Sequence, residues 1–422
     1  TGATYSVASD GTATLTLPLP SSLTARNALF AGTRTMYVSA DGNYLLGGTP
    51  GGYDMFVGIK TLASGSNSNF SGLYVTGALE DDVTNAGVDS FYGSLNSDGA
   101  GNQISHERLT GVSFSTPLDF GTDNSTTIGS DGTGTDSFGN KILLGAGGNA
   151  YLLTGASQFH TLTLGVKAQS FTGTGVFLNP VGITNAASYS PITASISPGE
   201  LLTLYGSGFA SATLTTAGGQ AFPTTLGGVQ VLINNVAAPI YYVSATQISA
   251  VVPFGLTSGA YAQVQVVNNG IKSNTVTVYL NNEAPGLFTQ KQNGTGMVAA
   301  LRQNGSLITT ANKPVRGEYI SLYLTGLGVV NPPVADGALG PASPLSQATA
   351  FVNKSLVVYF NDYTSKVYYS KGTVSFAGLA PGLAGLYQLN VQIPTNVGPG
   401  NVYIELTTDN ADVNQVFVPV GN

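Results

Sequence analysis

His106 and His160 are the only imidazoles in a chain of 422 residues, and there is no cysteine. These histidines and the carboxylates are the first candidates for acid–base chemistry. His106 lies in His106-Glu107-Arg108, but a hydrolase triad needs a histidine beside an activated nucleophile. No Gly-x-Ser-x-Gly elbow occurs in the chain. The densest acids, Glu80-Asp81-Asp82 with Asp89, are the residues from which a glycosidase pair would be drawn. Neighbouring acids on a strand point to opposite faces, and in a loop they are solvated, so this spacing separates the carboxyls. For metal chemistry, Asp131-Gly132-Thr133-Gly134-Thr135-Asp136 offers hard oxygen ligands in a glycine-rich loop, which makes Asp131 and Asp136 the candidate Ca²⁺ ligands. The run matches neither an EF-hand nor a repeated calcium-binding nonapeptide, and a hairpin turn at Asp131-Gly132 explains it more simply. No other cofactor is expected. With no tryptophan, sugar stacking would fall to the 21 tyrosines, of which Tyr241-Tyr242 and Tyr368-Tyr369 are adjacent pairs. Alternation on a strand should send one ring of each pair into the core. Sequons at Asn69, Asn124, Asn293, Asn304 and Asn353 permit glycosylation.

The elements that would position these groups are strands. Thr12-Ala13-Thr14-Leu15-Thr16-Leu17, Tyr261 to Val266 and Leu386 to Val391 alternate with period two. Asp10-Gly11, Asp41-Gly42, Asp98-Gly99, Asp131-Gly132, Asn269-Gly270 and Asn304-Gly305 supply the positive φ of hairpin turns between such runs. The fold class is all-β. An antiparallel barrel or sandwich built from an internal repeat is expected first, followed by two immunoglobulin-like sandwiches, with segments at 1–177, 178–283 and 284–422.

Charged residues are 8% of the chain, against roughly 25% in an ordinary soluble domain. Residues 1–177 hold 13 acids and 6 bases, and residues 178–422 hold 8 of each. A net charge of −7 without a Lys/Arg cluster argues against nucleic acid and anionic membranes as partners. No apolar run reaches the roughly 18 residues of a membrane-spanning helix, so membrane insertion is not expected. A neutral, hydroxyl-rich surface suits exported proteins that pack copy against copy. Thr1 at the start, without Met, is what a chain with its signal peptide removed would show.

Two repeats organise the chain. Gly199-Glu200 is echoed by Gly317-Glu318, and Val251-Val252-Pro253 by Gln392-Ile393-Pro394. In the N-terminal part, the stretch from Ser9 is echoed near Ser130, and residues 42–60 are echoed in 148–167. The second N-terminal copy has an upstream arm, residues 70–112, that the first lacks. Taken in order, the motifs of residues 181–420 resemble the uncharacterised C-terminal domain of secreted acidobacterial proteins of the Solibacter type. Among these motifs are Pro198-Gly199-Glu200, Asn282-Glu283-Ala284-Pro285-Gly286 and Pro332-Pro333-Val334. The resemblance implies two immunoglobulin-like modules of the IPT/TIG kind, export, and no catalytic site.

The expectation is an extracellular or cell-surface structural protein, not an enzyme. It would be a pilus-like filament or surface-layer subunit, adhesive in some settings, joined head to tail by strand complementation. The short first repeat leaves a sheet edge for a neighbouring copy, and Thr12 to Leu17 is the candidate contact strand. The alternatives are a secreted carbohydrate- or cell-wall-binding protein, which would contact glycans or other cells, and a secreted hydrolase with its site in 1–177.

Overall fold

The computed structural model describes residues 2–19, 21, 32–49, 55–82, 86–155, 159–169, 171–191, 194–256 and 259–422, with the backbone alone for 82, 146, 159 and 414. Residues 50–54 of the first N-terminal repeat and the side chain of Asp82 lie outside the described residues. The fold is all-β, as the alternation requires. Among the described residues, helical structure amounts to the four-residue Thr349–Val352 and the 3₁₀ turns Asn67–Asn69 and Ala146–Gly148. None of these is long and apolar enough to cross a membrane.

Eight strands close into an antiparallel barrel. The order runs Thr133–Asp136, Lys141–Gly145, Ala150–Thr154, Phe159–Lys167, Ser71–Asp82, Gly87–Asp98, Asn102–Gly111 and Phe114–Ile128, and the last pairs back onto the first. By contacts the chain divides into two compact units, residues 1–74, 97–102 and 125–167, and residues 75–96, 103–124 and 168–422.

In the first unit a five-stranded antiparallel meander runs Thr4–Val7, Thr12–Leu17, Gly32–Val38, Tyr44–Gly48, Phe56–Ile59. The same unit holds a buried aromatic cluster. Phe70, Tyr74 and Tyr151 meet edge to face with centroids 5.1, 5.1 and 5.5 Å apart, beside the buried Leu144. Tyr74 Oη donates to Gly148 O at 2.5 Å, and burial pushes its phenol up to about 12. A buried phenol keeps its proton because the phenolate would lose its hydration.

The second unit contains two β-sandwiches. In the first, Phe177–Asn185, Leu201–Ser207 and Gln247–Val251 face Val229–Ile233, Tyr261–Asn268 and Ile271–Leu280. Its core comes wholly from residues 178–280. Along Tyr261–Asn268, Ala262, Val264 and Val266 point inward, as period two requires. In the second, a sheet built on Tyr319–Thr325, Thr373–Leu379 and Tyr387–Gln392 packs on Val357–Asp362, Gly400–Thr407 and Ala411–Val420, around a core drawn from residues 287–420. Ala411–Val420 also pairs in parallel with Phe114–Ile128, with Ala411 opposite Asp119.

The Gly-Glu echo is one turn built twice. Ser197 N donates to Glu200 Oε2 at 2.7 Å, and Val315 N to Glu318 Oε2 at 3.0 Å. Gly199 N and Gly317 N donate to Val252 O and Ile393 O at 2.9 and 2.8 Å, and those residues' amides return bonds to Glu200 O and Glu318 O. Both glycines have φ near +80°, which L side chains rarely adopt. The two turns differ in setting. Glu318 is paired with Arg302, whose Nη2 lies 2.7 Å away. Glu200 is wholly buried and accepts from Asn185 Nδ2 at 2.9 Å; burial raises its carboxyl well above the usual range.

Candidate assembly site

The two N-terminal repeats share a set of matching hydrogen bonds. In the first, Thr12 N donates to Asp10 Oδ1 at 2.9 Å; in the second, Thr133 N donates to Asp131 Oδ1 at 3.0 Å. Ala8 N to Thr12 O (2.7 Å) matches Gly129 N to Thr133 O (2.8 Å). Val38 N to Gly11 O (2.9 Å) matches Leu144 N to Gly132 O (2.8 Å). Lys60 N to Asn43 O (2.9 Å) matches Lys167 N to Asn149 O (2.8 Å). The five-stranded meander is therefore the counterpart of the barrel strands from the end of Phe114–Ile128 through Phe159–Lys167. In the barrel, Ser71–Asp82, Gly87–Asp98 and Asn102–Gly111 complete the ring. The meander has no such third part among the described residues and stays an open sheet with Thr4–Val7 and Phe56–Ile59 as its end strands.

Exposure follows from that difference. Ile128 and Thr126, in the closed copy, are 7% and 4% exposed. Their counterparts Val7 and Tyr5 are 53% and 79% exposed, and all four residues of Thr4–Val7 are open to solvent. An end strand with apolar side chains and unpaired backbone groups is a template for another strand.

The strand expected to make the contact is a different one. Thr12–Leu17 is an inner strand. Thr4 to Val7 pair with Thr16 to Ala13 on one side, and Gly32 to Tyr37 pair with Leu17 to Thr12 on the other. Both of its hydrogen-bonding edges are used within the chain, and Ala13 is buried. The open edge lies one strand further out, at Thr4–Val7, because a short leading strand pairs through the tight Asp10-Gly11 turn.

Asp131 and Asp136 each turn to their own hairpin. Asp131 Oδ1 accepts from Thr133 N and from Thr133 Oγ1 at 2.8 Å, which holds its carboxyl below the usual range. Asp136 is buried and accepts from Phe138 N at 3.0 Å, Asn140 N at 2.8 Å and Asn140 Nδ2 at 2.9 Å. Among the described residues no group of three or more His, Asp or Glu is placed to hold a metal ion.

His106 is buried, and burial pushes its imidazole down to about 4. It lines a cavity of about 20 Å³ with Asp119, Asn185 and Ser195, about the size of a single water and too small for a substrate. Glu107, next along the strand, projects from the opposite face. Burial and the charge of Glu80 push the Glu107 carboxyl up to about 7. Asp89 accepts from Ser113 N at 3.0 Å and so anchors the neighbouring turn. His160 is exposed.

The tyrosine pairs do not alternate as expected. Tyr368 and Tyr369 are both exposed, because Tyr369 takes φ +52° and breaks the period. A register shift between Ile240 and Tyr242 likewise leaves Tyr241 exposed and Tyr242 part-buried. An aromatic cleft formed by Tyr92, Tyr261 and Tyr279 went unseen in the sequence. Tyr261 and Tyr279 sit opposite each other in the hairpin turned by Asn269-Gly270, but counting outward from that turn pairs Tyr261 with Val278; a register shift between Gln265 and Val267 brings Tyr279 there instead. Nothing local points to Tyr92, more than 160 residues away.

No curated protein matches the chain. Residues 186–279, most of the first sandwich, match the IPT/TIG domain family, an immunoglobulin-like fold of the kind that fits surface and adhesion proteins.

Proposed function

We propose that this protein is an extracellular structural subunit without enzymatic activity, and that its open N-terminal sheet joins neighbouring copies into a head-to-tail filament or surface layer. The observation behind this reading is that one strand plan occurs twice in the chain, once closed into a barrel and once open. The only three-stranded arm among the described residues already closes the barrel, so the exposed strand Thr4–Val7 is left to pair with a neighbouring copy. Thr4–Val7 of one copy pairs with a strand on a different surface of the next. Such a contact joins different surfaces, does not close on itself, and propagates. The second sandwich, with its matching Gly317-Glu318 turn, is a diverged copy of the IPT/TIG-like first. The two sandwiches act as a spacer: Leu201 N donates to Thr325 Oγ1 at 2.7 Å, Ser197 Oγ to Gly326 O at 3.2 Å and Phe254 N to Asp336 Oδ1 at 2.7 Å across their junction.

Light scattering over a concentration series, with negative-stain microscopy, tests the proposal. Wild-type protein is expected to form concentration-dependent oligomers that grow into filaments. Tyr5→Lys/Val7→Lys, which places charge on the open edge without touching a core, is expected to stay monomeric. A wild type that remains monomeric at the highest attainable concentration, or a double variant that assembles equally well, refutes the edge contact.

A further inference from the structure

A second surface of this protein carries an aromatic cleft. On the second compact unit, Gly87–Asp98, Asn102–Gly111 and the hairpin of Tyr261–Asn268 with Ile271–Leu280 wall a cleft of about 390 Å³. That is at the small end of ligand sites, which run from roughly 300 to 1,000 Å³. Its lining is aromatic. Tyr261 leans on Tyr279 with centroids 5.3 Å apart and planes at 37°, and Tyr92 meets Tyr279 edge-on at 6.3 Å. Tyr261 and Tyr92 are 58% and 44% exposed, so broad ring surface faces the opening.

The polar groups of the cleft narrow the choice of ligand. The Arg108 guanidinium lies 4.7 Å from the Tyr279 ring centre. Its Nη1 is held at 2.8 Å by Asp119 Oδ1 and at 3.0 Å by Ser195 Oγ. A cationic ligand would meet Arg108, and an anionic one would find that charge already matched by Asp119. Phosphates are further disfavoured by a net charge of −7. The remaining polar groups are hydroxyls: three phenols and the bonded pair Ser90 Oγ and Thr110 Oγ1, 2.8 Å apart. A wholly apolar ligand would strand them from water. The ligand that fits is uncharged, flat and apolar across its face, and ringed with hydroxyls.

We infer that this cleft binds the pyranose rings of a neutral polysaccharide, stacked on Tyr261 and Tyr92 and bonded at the rim by phenol and hydroxyl groups. The inference is independent of the open edge, since the two share no residue. Rigid tyrosines suit this use because they present large amphipathic area with little side-chain entropy to lose.

Calorimetric titration of the full chain with cellohexaose, xylohexaose, maltohexaose and chitohexaose tests the assignment, with hexagalacturonate as the acidic probe. At least one neutral probe is expected to bind saturably. Tyr261→Ala is expected to weaken it about tenfold or more, as loss of a stacking anchor does. Tyr261→Phe, which keeps the ring, should retain most of the affinity, and an unchanged melting temperature in both variants excludes a folding defect. The inference fails if no neutral probe binds, if Tyr261→Ala and Tyr92→Ala bind like wild type, or if the acidic probe binds more tightly than every neutral one.

Discussion

Asn185 shows how much one side chain can hold at a module junction. Its Oδ1 accepts from Ala187 N at 2.9 Å and Ser188 N at 3.0 Å, while its Nδ2 serves Glu200 Oε1 and, at 3.1 Å, Ala284 O. Asn185, Ala187, Ser188 and Glu200 are buried, so removing the amide leaves several groups desolvated and unpaired. Each such group costs about 1–3 kcal/mol. Asn185→Ala is therefore expected to destabilise the protein by about 3 kcal/mol or more, read as a lowered denaturant midpoint, while Asn185→Asp keeps the two accepted bonds but sets a second carboxylate beside Glu200. At Gly199 a Cβ would fall 2.2 Å from Tyr387 Oη, at a φ of +75°. Neither the turn nor the packed ring can yield there, so Gly199→Ala should be at least as damaging.

At the scale of elements, the duplicated strand plan is an internal control. Val7 and Ile128 occupy the same place in the two copies, one open and one covered. Truncating a buried isoleucine costs about 2–5 kcal/mol, whereas an exposed apolar residue has little burial to lose. Ile128→Ala should lower the melting temperature of dilute protein clearly and Val7→Ala barely. Under assembling conditions Val7→Ala should begin to cost stability too, because the edge is then covered. Equal effects of the two substitutions in dilute protein would mean that the first copy is already closed.

For the whole molecule, buried acids set the response to pH. Burial pushes Glu107, Glu283 and Asp412 up to about 7 and Asp123 up to about 6, with nearby Glu80, Asp409 and Glu405 adding to the first three. Each holds a proton in the folded chain that the unfolded chain has released above about pH 4. The stability linked to them is full below that value and is lost as pH rises through about 6 to 7. His106, pushed down to about 4, works the other way: the unfolded imidazole takes up a proton below about 6.5 while the folded one does not. One histidine opposes several acids, so the melting temperature is expected to be higher near pH 5 than near pH 8. Further down, depressed carboxyls such as Glu318, bonded to Arg302, and Asp362, bonded by backbone amides, are protonated and their stabilisation goes. A thermal melt series across this range checks the order, and a maximum at pH 8 would contradict it.

The all-β class, the hairpin turns and both repeats were legible in the residues, because period-two alternation and Asp-Gly or Asn-Gly pairs act within a few positions of the backbone. The repeated Gly-Glu turn was legible in part for the same reason, since its Ser197–Glu200 and Val315–Glu318 bonds close within four residues, while its bonds to Val252 and Ile393 are long-range. Which strand lies at the edge was decided only in three dimensions. Thr12 to Leu17 alternates better than Thr4 to Val7, yet pairing on both sides places it inside the sheet. Exposure of both Tyr368 and Tyr369 came from one positive φ that composition does not announce. Tyr92, Tyr261 and Tyr279 are brought together by packing of a barrel wall against a sandwich hairpin. Local chemistry in the chain determined the strands and turns; long-range pairing decided what they cover, what they leave open, and hence where this protein can meet something else.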